Sequence, residues 1–276
     1  VWQAADPQII DEESPVRLEG FAEIFRPQGH LVTQVFEAHV RSARRISELS
    51  GRPFDFAILA GDLTDGSQRN ELGWVLTALN GGVIDPDSGR DDDPVEGAGN
   101  DYNDPFCSDG LGSPWYAAIG NHDSLYNGGF GPITDELRDA SVGSAVYDFP
   151  LFPNGYRDGA TVFGDVVVSG NTVPDDNRLM LRLGEVLQEL HDAQGEPVGH
   201  GLAQEDVNAD IGYYSIRPIA GRPIRLITLN TVDSSAIIGV GSLGSIDRTQ
   251  FEWLQQELVI ADASHELIIV MSHHQM

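Results

Sequence analysis

The chain has 276 residues, with 43 Asp and Glu against 16 basic residues, all of them arginine, and a formal net charge of −27 at pH 7. A surface this acidic repels phosphate backbones and excludes duplex nucleic acid as a partner held by charge, and no apolar run approaches the ~20 residues of a membrane helix. A single cysteine, Cys107, excludes an internal disulfide framework and fits a cytoplasmic or a secreted or periplasmic setting equally. A hydrophobic content of 41% over this length is enough for one large domain with a substantial core.

The predicted elements follow in order. An apolar strand over residues 1–5 leads into Asp6-Pro7-Gln8, and residues 11–27 are polar and irregular, a loop. A helix is predicted over 33–49, with Thr33 as its cap and Val35, Phe36, Val40, Ala43 and Ile46 at helical spacing. Residues 54–60 are a short apolar run with no polar face, as in a strand buried on both sides of a sheet. It ends in Gly61-Asp62-Leu63-Thr64-Asp65. A helix over 67–79 follows. Residues 81–114 are the most loop-like stretch of the chain. Within them Asn100-Asp101-Tyr102-Asn103-Asp104 offers oxygen ligands but lacks the twelve-residue calcium loop closed by Glu, so the stretch reads as a solvated acidic insertion.

A strand over 115–119 ends in Gly120-Asn121-His122-Asp123. Residues 124–212 form a second insertion, with a flexible loop at 127–131, a strand-like run at 161–169 and a helix over 176–191. His191 and His200 are expected on its surface. Strands are predicted over 213–218 and 223–229. The glycine-rich turn at 239–244 lacks the lysine of a phosphate loop. A helix over 248–259 and a strand over 266–271 bring the chain to Ser272-His273-His274.

Four strand ends thus carry Asp, Asn or His at once, the ligand types that suit divalent metals. One such residue alone is ordinarily a turn or a cap. Four together, at the strand ends where α/β enzymes bind their ligands, favour a metal site. In block order the chain resembles the calcineurin-like metallophosphoesterases, which include purple acid phosphatases and many phosphodiesterases. That family runs Asp-X-His, Gly-Asp-X-X-Asp, Gly-Asn-His-Asp/Glu, a lone His after a strand, and Gly-His-X-His. The second and third blocks are complete here, Ser272-His273-His274 fits the fourth, and 247–258 is similar to the family's penultimate helix. The first block has Gln8 where His is usual. The last block is absent, and the chain starts within a strand and stops just after one. The expectation is a single domain over 1–276, incomplete at its C-terminus, with insertions at about 81–114 and 124–212.

The resemblance implies an α/β fold, specifically a four-layer α-β-β-α sandwich with mixed sheets. It implies two divalent or transition metal ions (Mn, Fe, Zn or Mg) about 3.5–4 Å apart. Asp62 would bridge them. Asp6 would hold the first, with Gln8 either ligating weakly or only hydrogen-bonding a bound water. Asn121 and His273 would hold the second, with His274 as the alternative to His273. His122 would stabilise developing charge and protonate the leaving oxygen. Asp65 and Asp123 would orient a ring or a water. The implied activity is hydrolysis of a small phosphate monoester or diester by metal-bound hydroxide. The alternative is a weak or inactive relative that binds a ligand or partner.

Overall fold

The computed structural model describes residues 1–17, 28–91, 93–148, 167–234 and 241–275. In chain order these form β1 (Trp2–Ala4), α1 (Val32–Ser50), β2 (Ala57–Leu59), α2 (Arg69–Asn80), β3 (Gly82–Ile84), β4 (Phe106–Ser108), β5 (Trp115–Ala117), α3 (Asp135–Ser141), β6 (Ala145–Asp148), β7 (Val167–Asn171), α4 (Leu183–Asp192), α5 (Gln204–Asn208), β8 (Tyr214–Ile216), β9 (Ile224–Thr228), α6 (Arg248–Ala263) and β10 (Leu267–Met271). The fold is mixed α/β. No described helix is long and apolar enough to cross a membrane.

Two three-stranded sheets organise the chain. The first runs β1-β2-β5, all parallel, with Ala4, Leu59 and Ala117 at one level. Parallel neighbours need crossovers, and α1 and α2 supply them on either side of β2. The second runs β10-β9-β8, with β10 parallel and β8 antiparallel to β9. Phe56, Leu59, Trp115 and Ile119 from the first sheet share one core with Tyr214, Leu226 and Met271 from the second. Phe36 and Val40 of α1, Leu72 and Val75 of α2, and Val186 and Leu190 of α4 close onto that core. Successive strand residues point to opposite faces. Leu226 joins the shared core, whereas the next residue, Ile227, packs with Leu254 of α6.

Local signals explain most boundaries. α1 ends where Gly51 takes the left-handed conformation, φ 61°. α2 starts with the Glu71 carboxylate accepting from Gln68 N at 3.1 Å, half of a capping box. Asp247 caps α6 by accepting from Gln250 N at 2.7 Å. Thr33 is not the cap expected of it: α1 begins one residue earlier, behind a 3-10 turn at Gly29–Leu31, and Thr33 is buried.

Two further expectations change. The 81–114 stretch contains the antiparallel pair β3–β4. Two of the carboxylates between them turn inward on their own loop, Asp104 accepting from Asn100 N at 2.6 Å and Asp101 from Asn103 N at 2.9 Å. The helix expected over 176–191 splits into a 3-10 turn at Asp176–Arg178 and α4, and of the run expected at 161–169 the described part is in β7. In the loop that opens at residue 11, Asp11 is 1% exposed and its carboxylate meets Arg178, itself fully buried, at 3.1 Å.

Candidate metal centre

The strand register brings the candidate ligands together. Ala4, Leu59 and Ala117 are level, so the loops that follow carry Asp6, Asp62 and Asn121 out of the same edge of the first sheet. His273 lies two residues beyond Met271, at the end of β10. The two glycines of the motifs allow close approach. A Cβ on Gly61 would meet the Gly120 backbone at 2.8 Å and His273 Cβ at 2.9 Å, and a Cβ on Gly120 would overlap Asp62. Three non-glycine residues here hold left-handed backbone: Asp6 at φ 53°, Gln8 at φ 44° and Asp62 at φ 51°. Each such residue costs on the order of 1–2 kcal/mol, and clusters of strained backbone mark functional sites.

Asp62, Asp6 and His273 each offer a ligand atom, and these atoms lie within 4.8 Å of one another. Asp62 is buried. Its Oδ1 accepts from His122 N at 2.8 Å, and its Oδ2 accepts from Gln8 Nε2 at 3.0 Å. The orientation of His273 follows from its neighbours. Its Nδ1 lies 2.8 Å from the Ala60 carbonyl, which can only accept, so Nδ1 carries a hydrogen. Its Nε2 then faces two oxygens, Asn121 Oδ1 at 3.0 Å and Asp62 Oδ2 at 3.3 Å. Asn121 is turned the same way by its surroundings, since its Nδ2 donates to the Gly128 carbonyl at 2.8 Å and leaves Oδ1 pointing inward. Three electron-rich atoms therefore converge with no hydrogen of their own among them. The arrangement calls for a positive species, either a second proton on His273 or a cation.

The electrostatics agree. Burial opposes the charged ring of His273, but the hydrogen bond and charge of Asp62 and the Ala60 carbonyl outweigh it and push His273 up to about 9. Burial likewise opposes the Asp62 carboxylate, and the hydrogen bond to His273 with the charges of His122 and His273 holds it below the usual range. A divalent cation satisfies the same three atoms, and Asp6 adds a second carboxylate from the exposed side. Carboxylate oxygens, an amide oxygen and an imidazole nitrogen form a donor set for a hard or borderline metal. The described residues thus fit one cation well. A second ion sharing Asp62 would draw on Asp6, because Gln8 presents its amide nitrogen to Asp62 rather than its oxygen.

The remaining candidates surround this centre. His122 Nδ1 donates to the Asp65 carbonyl at 2.8 Å and lies 3.2 Å from Asp65 Oδ1, so Asp65 fixes that ring. Asp123 holds backbone rather than a ring: its Oδ1 accepts from Leu63 N at 2.8 Å and Thr64 N at 3.0 Å, and its Oδ2 from Gly120 N at 2.8 Å. It ties the two motif loops together. Burial and the nearby Asp62 charge push it up to about 6, although these N–H groups pull the other way. His274 sits edge-on to His273, ring centroids 4.6 Å apart, with Nδ1 2.9 Å from Thr231 Oγ1. Its Nε2 is buried and finds no hydrogen-bond partner among the described residues.

His200 corrects an expectation. It is 1% exposed, stacked on Trp115 at 3.5 Å with Nδ1 3.1 Å from the Trp115 carbonyl, and burial lowers its basicity. It is a core residue, far in role from the centre. The groups that the sequence did not indicate are backbone carbonyls, those of Ala60 and Gly128, which orient His273 and Asn121, the two inward-facing candidate ligands. Gly128 lies in the loop at 127–131, and only its position after the third motif hinted at a part in the site. Compared with known proteins, the chain matches no family model, and no curated protein matches it significantly.

Proposed function

We propose that this chain is a metal-dependent phosphoesterase of the calcineurin-like kind, hydrolysing a small phosphate monoester or diester. The observation that carries this reading is the convergence of His273 Nε2, Asp62 Oδ2 and Asn121 Oδ1 on one point, where a cation can take the place of a second proton on His273. The motif order supports it, as does the pair of sheets with helices outside them, which we read as the α-β-β-α sandwich of that family. Asp62, Asn121, His273 and Asp6 would hold a divalent cation, and a second would share Asp62 with Asp6. Bound there, such ions acidify water and neutralise phosphoryl charge.

The rest is done by the chain. Asp123 holds the two motif loops in register. Asp65 fixes the His122 ring through Nδ1, which leaves Nε2 to hold a proton for the leaving oxygen. The His122 N–H on Asp62 Oδ1 keeps that carboxylate turned toward the centre. The acidic surface disfavours nucleic-acid substrates, so the ester is small. One observation favours the weaker alternative, a relative that binds without turning over. The amide of Gln8 offers nitrogen to Asp62, and a second cation is left with few donors.

Asp62→Asn tests the reading. The wild type, dialysed against Mn2+ or Zn2+, should retain metal and hydrolyse an aryl phosphate. The variant should lose both, with turnover down by about 10²-fold or more, in line with loss of a ligand. Normal turnover with full metal content in Asp62→Asn would remove the assignment. Metal retention by the wild type without hydrolysis would favour the binding relative.

A further inference from the structure

A cleft of about 480 Å³ opens beside the centre, between the β1 loop and the start of α1. Asp6 and Gln8 stand at one end of it, and Ile10, Leu31, Val32 and Val35 form its walls. Leu31 and Val35 are one helical turn apart and lie on one side. They are 43% and 55% exposed, respectively, and so give the cleft an aliphatic side next to a polar centre. The volume lies within the range of small-molecule sites. None of the described lining residues is cationic, and the charge of Asp6, the one acid among them, would be taken up by the cation it helps to hold. The described lining therefore offers an incoming group mainly aliphatic surface, and an uncharged apolar group would cover Leu31 and Val35.

We propose that this cleft is a subsite for an uncharged, apolar group and, resting on the phosphoesterase reading above, that it takes the alcohol part of the ester. The substrate class is then a phosphate ester of a hydrophobic alcohol. Asp6 belongs to both cleft and centre, so a group lying along Leu31 and Val35 would leave its phosphoryl end at Asp62 and His273.

Two measurements on the whole chain test it. The first is kcat/KM on ethyl, butyl and hexyl phosphate with the metal-loaded protein. These leaving alcohols differ little in acidity, so a change along the series reports burial. Each methylene that enters the cleft should raise kcat/KM by about fourfold, and Val35→Glu should flatten the series. The second is binding of 1-naphthol without metal, read from the shifts of the Leu31, Val32 and Val35 methyl resonances, which should be lost in Val35→Glu. Hydrolysis with no dependence on chain length overturns the inference, and so does failure of naphthol to perturb those methyls. Naphthol binding at Val35 with no hydrolysis of any ester would uphold the apolar subsite while the phosphoesterase reading fell.

Discussion

At the scale of single residues, the proposed function would have His122 separate proton transfer from metal binding. Its Nδ1 is committed to Asp65, and its backbone N–H, not its ring, meets Asp62. Removing the ring should therefore leave the ligand set in place. His122→Ala is expected to lower kcat by about 10²–10⁴-fold, the usual worth of a positioned acid, while metal content measured on the same sample stays near that of the wild type. Parallel loss of metal and turnover would make the ring a ligand and end its role as an acid. The two inward-facing side chains, Asn121 and His273, were legible in the sequence as candidate ligands because a strand followed at once by Asn or His is a local pattern. Their orientation was not. The Ala60 and Gly128 carbonyls that turn them are contributed by any residue type, so no letter of the sequence marks them.

At the scale of elements, the start of α2 carries a buried acid that the site does not use. Glu71 accepts from Gly66 N at 2.8 Å, Asp11 N at 3.0 Å and Gln68 N at 3.1 Å, and so joins α2 to the loops after β1 and β2. Burial outweighs these donors and pushes the carboxyl from 4.5 up to about 7. The folded chain then holds a proton that the unfolded chain has released between those values, so stability falls as pH rises through that window. The slope is on the order of 1.4 kcal/mol per pH unit. Other carboxylates titrate too, so the measurement is a difference. The stability of the wild type minus that of Glu71→Gln, from urea unfolding, should grow as the pH is lowered from about 7 to 4.5. A constant gap would mean that Glu71 is ionised in the fold throughout. Elements with strong periodicity, α1 and α6 among them, were legible to within a few residues. The buried Asp11–Arg178 pair was not, because its partners are 167 residues apart and each alone reads as a surface charge. The same holds for His200, whose burial depends on Trp115, and for the β3–β4 pair, whose strands are too short to show alternation.

At the scale of the whole molecule, charge dominates. With 43 acids and 16 arginines, even complete pairing would leave 27 carboxylates without an arginine. Ion pairs such as Arg44–Glu48 and Arg248–Glu252 lie at the surface and are worth little. Screening should therefore relieve more repulsion than it removes attraction. The midpoint of thermal unfolding, followed by calorimetry, is expected to rise between about 0.02 and 0.5 M NaCl, by about 2–4 °C for each kcal/mol of repulsion relieved. A falling midpoint would show that paired arginines outweigh the excess acids. The division of the chain into two sheets around one core came from packing: Leu226 and Ile227 look alike in sequence and go to opposite sides.

The seam between those sheets has a consequence for handling the protein. His273 reaches from β10 to the Ala60 carbonyl, and Tyr214 donates from β8 to the Ala117 carbonyl at 2.9 Å. A cation shared by His273 and Asp62 would rivet one sheet to the other, and only the folded chain assembles that grip. Its binding energy would then count toward folding by mass action. Stripping by a chelator, or by a histidine-tag resin during purification, would loosen the joint between the sheets as well as empty the centre. A preparation stripped of that rivet would be fragile for this reason alone.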